Sequence, residues 1–136
     1  MKPPLERFVD PTHALLRIVA GYGFALHGAQ KLFGVLGFPE PVPLMSMPGL
    51  AGVIELAGGT FLVLGLFTGW TAFIASGEMA VAYFLGHVMR SGIVLFPLQN
   101  QGEPAVLNCF IWLYFAARGA GIWSLDRLIW GRNASG

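Results

Sequence analysis

The sequence predicts an all-α fold, a transmembrane four-helix up-and-down bundle followed by a short interfacial C-terminal helix. Of 136 residues, 55% are hydrophobic and 11% are charged, whereas roughly a quarter of an ordinary soluble domain is charged. The apolar residues form long runs separated by tight turns and by proline-rich or polar loops. The predicted membrane spans are residues 13–34, 49–67, 69–89 and 104–121. This length suits one bundle, so we expect residues 1–136 to form a single domain.

Composition also argues against several classes of function. The net charge is +1 and no basic run is present, so nucleic-acid binding is not expected. Cys109 is the only cysteine and cannot form an internal disulfide. The sequence has no CxxCH, no set of cysteines and no GxGxxG. We therefore expect no intrinsic haem, flavin or iron–sulfur cofactor.

The first span follows a helix-capping sequence, Asp-Pro-Thr, at residues 10–12. Arg17 and His27 interrupt its apolar run, which is not typical of a signal peptide, so we expect the span to be retained. At about 100° per helical residue, Arg17, His27 and Lys31 fall within about 80° of one another. One face of this helix therefore carries all of its basic side chains.

The second span, residues 49–67, holds a single ionisable side chain, Glu55. Its glycines, Gly52 and Gly59 among them, would let another helix approach closely within lipid. A lone carboxylate is costly at this depth, so we expect Glu55 to carry a proton or to meet a basic partner from another helix. The proline-rich residues 35–48 before it are predicted to form a loop.

The third span, residues 69–89, follows a tight turn and so forms an antiparallel hairpin with the second. It carries Glu78 near its centre and His87 near its end, on opposite sides of an ideal helix, so we assign them to separate sites. Arg17 and Arg118 approach Glu78 from the other end of the bundle. A buried structural ion pair of Glu78 with Arg17, and with Arg118, is therefore predicted.

The fourth span, residues 104–121, is preceded by Glu103 and ends near Arg118, as the helix dipole favours. The tail from residue 122 onward has the tryptophan content and amphipathic pattern of a short interfacial helix. Basic residues flank the two termini rather than the long loops. This bias predicts a multi-pass protein of the bacterial plasma (inner) membrane with cytoplasmic N and C termini.

Polar residues from all four spans converge on the outer half of this bundle. His27 and Glu55 lie at one depth, roughly 9–10 Å from the outer helix ends at ~1.5 Å per residue. The hydrocarbon opposes such a cluster unless its members satisfy one another or a ligand. A buried ion-pair network that only fixes helix register is the alternative. The predicted ligand-binding residues are His27, Lys31, Glu55, His87, Asn100 and Glu103.

Four motifs occur in order: HGxxKL from His27, GxxE ending at Glu55, His87 at the end of the third span, and NxGE from Asn100. This set resembles the DoxX family of small four-helix bacterial membrane proteins, over residues 15–126. The resemblance implies the fold and its topology. It also implies that relatives occur as subunits or partners of membrane oxidoreductases, including thiosulfate-to-quinone electron transfer. The family pattern falls on Arg17, His27, Gly28, Lys31, Glu55, Gly59, His87, Asn100 and Glu103.

Three functional hypotheses are open, and the first is a redox role. The protein would be an integral membrane subunit of a quinone-linked oxidoreductase system, binding a small ligand such as quinone in a polar cavity of the outer half. His27 and Lys31 would hydrogen-bond a quinone carbonyl, and Glu55 would exchange the accompanying proton. This role requires a redox partner protein as electron donor, and no catalytic residue is assigned.

In the second hypothesis the protein is not an enzyme but binds a lipid headgroup or a partner protein and supports its assembly. In the third, His27, Glu55, His87 and Glu103 bind a divalent metal ion. Lys31 beside them would repel the ion, so no metal is expected. The lipid bilayer is a partner under every hypothesis, and a homo-oligomer is compatible with each.

Overall fold

The computed structural model describes residues 1–131, and within that range every regular element is helical. A short 3₁₀ turn at Glu6–Phe8 leads into five helices. They are α1 (Val9–Phe33), α2 (Met47–Leu64), α3 (Thr68–Ser91), α4 (Glu103–Arg118) and α5 (Leu125–Trp130). The predicted all-α helical bundle is confirmed, while residues 132–136 of the predicted tail lie outside the described residues.

Local sequence explains where the first helices begin and end. α1 begins at Val9, before the predicted start, because Pro11 is tolerated in the first turn, where its missing N–H removes no helical hydrogen bond. It ends at Gly34, which adopts a left-handed conformation (φ 62°) and donates its N–H back to the last turn. α2 is capped by Ser46, whose Oγ accepts from the Gly49 N–H at 3.2 Å.

Helices α1 and α2 pack backbone to backbone through glycines. A Cβ atom placed on Gly28 would lie 2.3 Å from the Leu56 N atom, and one placed on Gly59 would lie 2.4 Å from the Ala25 N atom. Since no side chain fits at such distances, these glycines set the spacing of the two helices. The close approach that the sequence predicts for the second span is present.

The four long helices run up and down. Residue numbers increase along one helix as those of its contacts decrease along the neighbouring helix: Gly21 lies against Gly59, whereas Gly28 lies against Leu56. The α2–α3 turn and the segment between α4 and α5 therefore lie at one end, which we call the inner end. The α1–α2 and α3–α4 loops lie at the opposite end, which we call the outer end.

The bundle consists of two helix pairs. α1 packs chiefly on α2 and α3 on α4, while the interface between α2 and α3 is smaller. One apolar cluster joins the pairs, and it contains Phe24 of α1, Leu62 of α2 and Trp112 of α4. The Phe24 and Trp112 rings lie 5.3 Å apart between centroids. An aromatic core thus links the pairs at mid-height.

Two of the described helices are long and apolar enough to cross a membrane, judged by length and composition. They are α2, with 18 residues and a mean hydropathy of 1.6, and α3, with 24 residues and a mean hydropathy of 1.3. α1 has 25 residues but includes charged residues. α4 has 16 residues, which is about 24 Å at 1.5 Å per residue and shorter than a typical span. Of the four predicted spans, two meet this criterion.

The outer part of α3 departs from α-helical geometry. Residues Tyr83–Val88 form a π-helical segment, which has more residues per turn than an α-helix and is frequent at functional sites. The helix then ends at Gly92, which adopts a φ of 71°. Because of the wider turns, the direction of His87 cannot be deduced from ideal α-helical spacing.

Candidate functional site

The outer half of the bundle contains a buried ion pair between α1 and α2. Lys31 Nζ donates to Glu55 Oε1 at 2.6 Å, and Glu55 is 2% exposed. No other salt bridge forms among residues 1–131. A Cβ atom on Gly52 would lie 3.1 Å from Lys31 Cβ, so the Lys31 side chain passes over Gly52, one turn before Glu55. The HGxxKL and GxxE motifs therefore build a single contact.

This ion pair leaves hydrogen-bonding capacity unused. Glu55 Oε2 is buried and has no hydrogen-bond partner in the described part of the chain. The Lys31 side chain is 26% exposed, and its ammonium group has three N–H donors, of which one reaches Glu55. A buried acceptor oxygen and a partly accessible donor thus lie side by side.

Glu78 of α3 belongs to the same group of charges, which the sequence analysis did not predict. Its carboxyl group lies within electrostatic range of Glu55 and Lys31 but forms no salt bridge with Lys31. Its Oε2 atom is also buried and lacks a hydrogen-bond partner within residues 1–131. The short α2–α3 turn could have indicated this position. Glu55 and Glu78 lie at similar distances along the chain from that turn, so an antiparallel hairpin brings them to nearly the same level.

The expected ion pair of Arg17 with Glu78 is not formed. Arg17 is fully buried, and its guanidinium donates to backbone carbonyls at the inner end: Nε to Leu62 O at 2.9 Å and Nη2 to Trp123 O at 2.6 Å. It also donates to Ala120 O and Ile122 O. These acceptors are the carbonyl oxygen of Leu62 near the end of α2 and those of the non-helical segment between α4 and α5, so main-chain carbonyls hold the cation and no carboxylate among residues 1–131 lies within salt-bridge distance.

Arg118 does not reach Glu78 either. It lies in the last turn of α4, is exposed, and forms no salt bridge with the other described residues. The predicted triad of Arg17, Glu78 and Arg118 therefore separates into three environments. Only Glu78 joins the candidate ligand site.

His27 lies near the Lys31–Glu55 pair but not in contact with it. It is exposed on α1 and interacts electrostatically with Glu55, without a hydrogen bond to that carboxylate. The GxxE and HGxxKL motifs thus place His27 at the rim of the site. The buried centre consists of Lys31 and Glu55, with Glu78 beside them.

His87 and Asn100 form a separate cluster that holds the α3–α4 loop. His87 Nδ1–H donates to the Asn100 carbonyl oxygen at 3.0 Å. The Asn100 side chain is buried, donates to Tyr83 Oη at 3.1 Å and to Ile93 O at 2.9 Å, and accepts from Gly102 N–H at 2.8 Å. These bonds use both N–H donors and the oxygen of the amide, so Asn100 organises the loop.

Glu103, at the first position of α4, is exposed. Within residues 1–131, neither a hydrogen bond nor a salt bridge connects Glu103, His87 or Asn100 to the Lys31–Glu55 pair. The structure thus brings together two of the six residues predicted for ligand binding, Lys31 and Glu55, in direct contact.

Asp126 is a buried polar residue whose role the sequence analysis missed. It is 6% exposed, and its two carboxylate oxygens accept from Phe67 N–H at 2.6 Å and from Thr68 N–H at 2.8 Å. These N–H groups begin α3, whose own N-cap residue supplies no side-chain acceptor. No Ser, Thr, Asp or Asn precedes the first turn of α3, at residues 66 and 67. This absence indicated that an acceptor from elsewhere in the chain caps the helix.

An apolar groove of about 300 Å³ lies outside the site. Leu32, Val53, Leu56 and Thr60 are among the residues that line it. Since Val53, Leu56 and Thr60 share a face of α2 roughly opposite Glu55 at about 100° per residue, the groove faces away from the buried charges.

Fold and site together define a helical bundle with charged residues buried in its outer half. The DoxX family model matches residues 12–88, more than half of the chain, and the chain belongs to the DoxX family. The resemblance seen in the sequence motifs is thereby confirmed, and membership indicates a membrane protein in contact with lipid. The matched region includes Lys31, Glu55, Glu78 and His87, whereas Asn100 lies beyond it.

A bacterial relative extends the similarity along the chain. A protein of Haemophilus influenzae (strain ATCC 51907 / DSM 11121 / KW20 / Rd), described as an uncharacterized protein, is 44% identical over 133 residues. The match covers 90% of this chain and 93% of that protein. No solved structure matches the chain.

Proposed function

We propose that the protein is an integral membrane subunit of a quinone-linked oxidoreductase system in the bacterial inner membrane. In this proposal the Lys31–Glu55 pair binds a small ligand of the quinone class. A redox partner protein supplies the electrons. Both termini face the cytoplasm, which reporter fusions at Pro43 and Gln99 would test, since both should report the opposite side of the membrane.

The unpartnered Glu55 Oε2 carries the proposal. An ion pair that serves only to fix helix register gains by satisfying both oxygens, because an unmade hydrogen bond at a buried charged group is costly. Here one oxygen meets Lys31 at 2.6 Å and the other meets no described residue. The vacant acceptor beside an accessible ammonium is what a polar ligand would use.

The two oxidation states of a quinone suit this donor and acceptor. A quinone carbonyl accepts hydrogen bonds, so it can pair with a remaining N–H of Lys31. A quinol hydroxyl donates, so it can pair with Glu55 Oε2. Reduction of a quinone requires protons as well as electrons, and a carboxylate within hydrogen-bond reach is suited to exchange them. His27 at the rim is the second group with this capacity.

Binding of a quinone analogue to the purified protein in lipid nanodiscs tests the proposal. Glu55→Gln and Lys31→Met should each weaken binding by at least tenfold in protein that remains folded by circular dichroism. Glu40→Gln is a matched control, because it removes an exposed carboxylate from the α1–α2 loop. Equal binding by all four proteins would contradict the proposal, and selective loss of co-purifying phospholipid in the variants would favour a lipid-headgroup site instead.

A further inference from the structure

The buried site contains two carboxyl groups and one ammonium group. Glu55 on α2 is paired with Lys31 on α1, and Glu78 on α3 has a buried carboxyl oxygen with no hydrogen-bond partner among residues 1–131. If all three were ionised, the site would keep one uncompensated negative charge inside the bundle. Apolar surroundings oppose such a charge, and the neighbouring carboxylate opposes it further.

Helix register independently puts Glu78 at this level. A Cβ atom on Gly58 would lie 3.6 Å from Thr71 Cγ2, which fixes the register of the antiparallel α2–α3 hairpin. Glu78 lies seven residues after Thr71 on α3. In an antiparallel pair this corresponds to seven residues before Gly58 on α2, which is Ala51, next to Gly52. Lys31 passes over Gly52, and Glu55 lies about 5 Å further in at ~1.5 Å per residue.

Other charged groups near Glu78 do not supply the missing compensation. In the outer half of α1 the basic groups are Lys31, which is paired with Glu55, and His27, which is exposed, while His13 and Arg17 bond to main-chain carbonyls at the inner end. Helix α4 packs on α3 through Cys109, which contacts Ser76. Its charged residues, Glu103 and Arg118, are exposed at its two ends.

We infer that Glu78 is a proton-binding residue: it is a neutral carboxylic acid at rest, while Glu55 is the carboxylate that pairs with Lys31. The Glu78 carboxyl then holds the exchangeable proton of the site, in a position to pass it to a ligand at Glu55 Oε2. This extends the proposed function, because it names a proton donor for the ligand, but the protonation of Glu78 itself requires no ligand.

Carbodiimide labelling tests this assignment on the intact protein in nanodiscs. Dicyclohexylcarbodiimide partitions into lipid and adds to protonated carboxylic acids, and the adduct is located by peptide mass spectrometry. We expect adduct on the Glu78 peptide, decreasing as the pH is raised, and none on the Glu55 peptide. Adduct on Glu55 alone, or none on Glu78 at any pH from mildly acidic to neutral, would overturn the inference.

Charge balance gives a second, sharper test in two variants. In Glu55→Gln, Lys31 is free to pair with Glu78, so labelling of Glu78 should fall although the residue is intact. In Lys31→Met, no cation holds Glu55 ionised, so both carboxyl groups should be labelled. Glu40→Gln should label as the wild type does. If Glu78 labels equally in all of these proteins, the three groups are not coupled and the inference fails.

Protection by ligand separates this inference from the proposed function. A quinone analogue should slow labelling of Glu78 in the wild-type protein if both are correct. Labelling that shows the expected variant dependence but no protection would retain the proton site and reject the quinone-class ligand. Protection by the quinone analogue without labelling differences among the variants would retain the quinone-class ligand and reject the proton site.

Discussion

The two ends of the bundle treat buried charge in opposite ways. At the inner end, Arg17 is fully buried and donates to carbonyls from α2 and from the segment after α4, while both oxygens of Asp126 accept backbone N–H groups. In the outer half, Glu55 and Glu78 each keep a buried oxygen without a partner among the described residues. Within residues 1–131, the buried charges of the inner end therefore have a partner at every guanidinium nitrogen and carboxylate oxygen, although the neutral hydroxyl of Thr68 there has none, whereas the buried carboxyl groups of the outer half do not.

This difference separates structural polar groups from groups with capacity to spare. A saturated network stabilises one arrangement, and removing any member leaves another group unsatisfied. An unsaturated group lowers stability in the resting state and gains when a proton or ligand arrives. The comparison therefore predicts that substitutions at the inner end affect mainly stability, while those in the outer half affect mainly binding.

The largest expected effect is at Arg17. Arg17→Met removes the donors of three carbonyl oxygens, those of Ala120, Ile122 and Trp123, at about 1–3 kcal/mol for each group left buried and unsatisfied, so the protein should lose most of its resistance to thermal unfolding in detergent. Arg118→Met, at an exposed position, should change the free energy of unfolding by less than about 0.5 kcal/mol. Similar melting temperatures for the two variants would break the comparison.

Gly28→Ala should come next. Its new Cβ would meet the Leu56 backbone at 2.3 Å, so α1 and α2 must separate, at a cost of about 1–3 kcal/mol. The same shift should move Lys31 away from Glu55 and weaken ligand binding. Gly23→Ala, where nothing lies within 4 Å of the added Cβ, should be neutral or slightly stabilising. Equal melting curves for the two variants would mean that the helix spacing is not fixed by Gly28.

A smaller effect is expected at Asp126. Asp126→Ala removes both acceptors that cap α3, which should cost about 0.5–2 kcal/mol, as for other helix N-caps. Asp126→Asn retains one acceptor oxygen and should cost less. Thermal unfolding of both variants in detergent measures the difference in their stability. An Asp126→Asn variant that melts at a lower temperature than Asp126→Ala would contradict the capping role.

The smallest loss of stability is expected for removal of the outer ion pair. Replacing Lys31 and Glu55 together by Met removes both charges at once, and such exchanges are often neutral, or stabilising by about 1–4 kcal/mol. The double variant should therefore melt at or above the wild-type temperature while binding no quinone analogue. A large loss of stability would place this pair in the same structural category as Arg17.

Sequence reasoning succeeded where the chemistry was local. The glycines of α1 and α2 and the apolar runs predicted the close helix packing, and the lone carboxylate Glu55 predicted a basic partner, which is Lys31. It failed where partners come from the backbone. Arg17 was expected to require a carboxylate, but carbonyl oxygens of α2 and of the segment after α4 satisfy it. Main-chain carbonyls are the same in every residue, so the sequence does not indicate which of them will act as acceptors.

The position of Glu78 shows a second limit. Its assignment to Arg17 relied on depth counted from helix ends, and those ends lie several residues from the predicted ones, as in α1, which begins at Val9 rather than near residue 13. The π-helical turns after residue 82 similarly change the direction of His87. Sequence spacing predicts the depth and direction of a side chain only where the helix keeps ideal α-helical geometry and its ends are known.

The capping of α3 by Asp126 also sets an order for biogenesis. The first turn of α3 and the guanidinium of Arg17 find their partners in residues 120–126, which leave the ribosome only after α1, α2, α3 and α4 have been made. Until then the inner ends of these helices lack the partners that residues 120–126 supply. A nascent chain stopped before residue 120 should therefore be recognised as incomplete and cleared by membrane proteases, which pulse–chase labelling would detect.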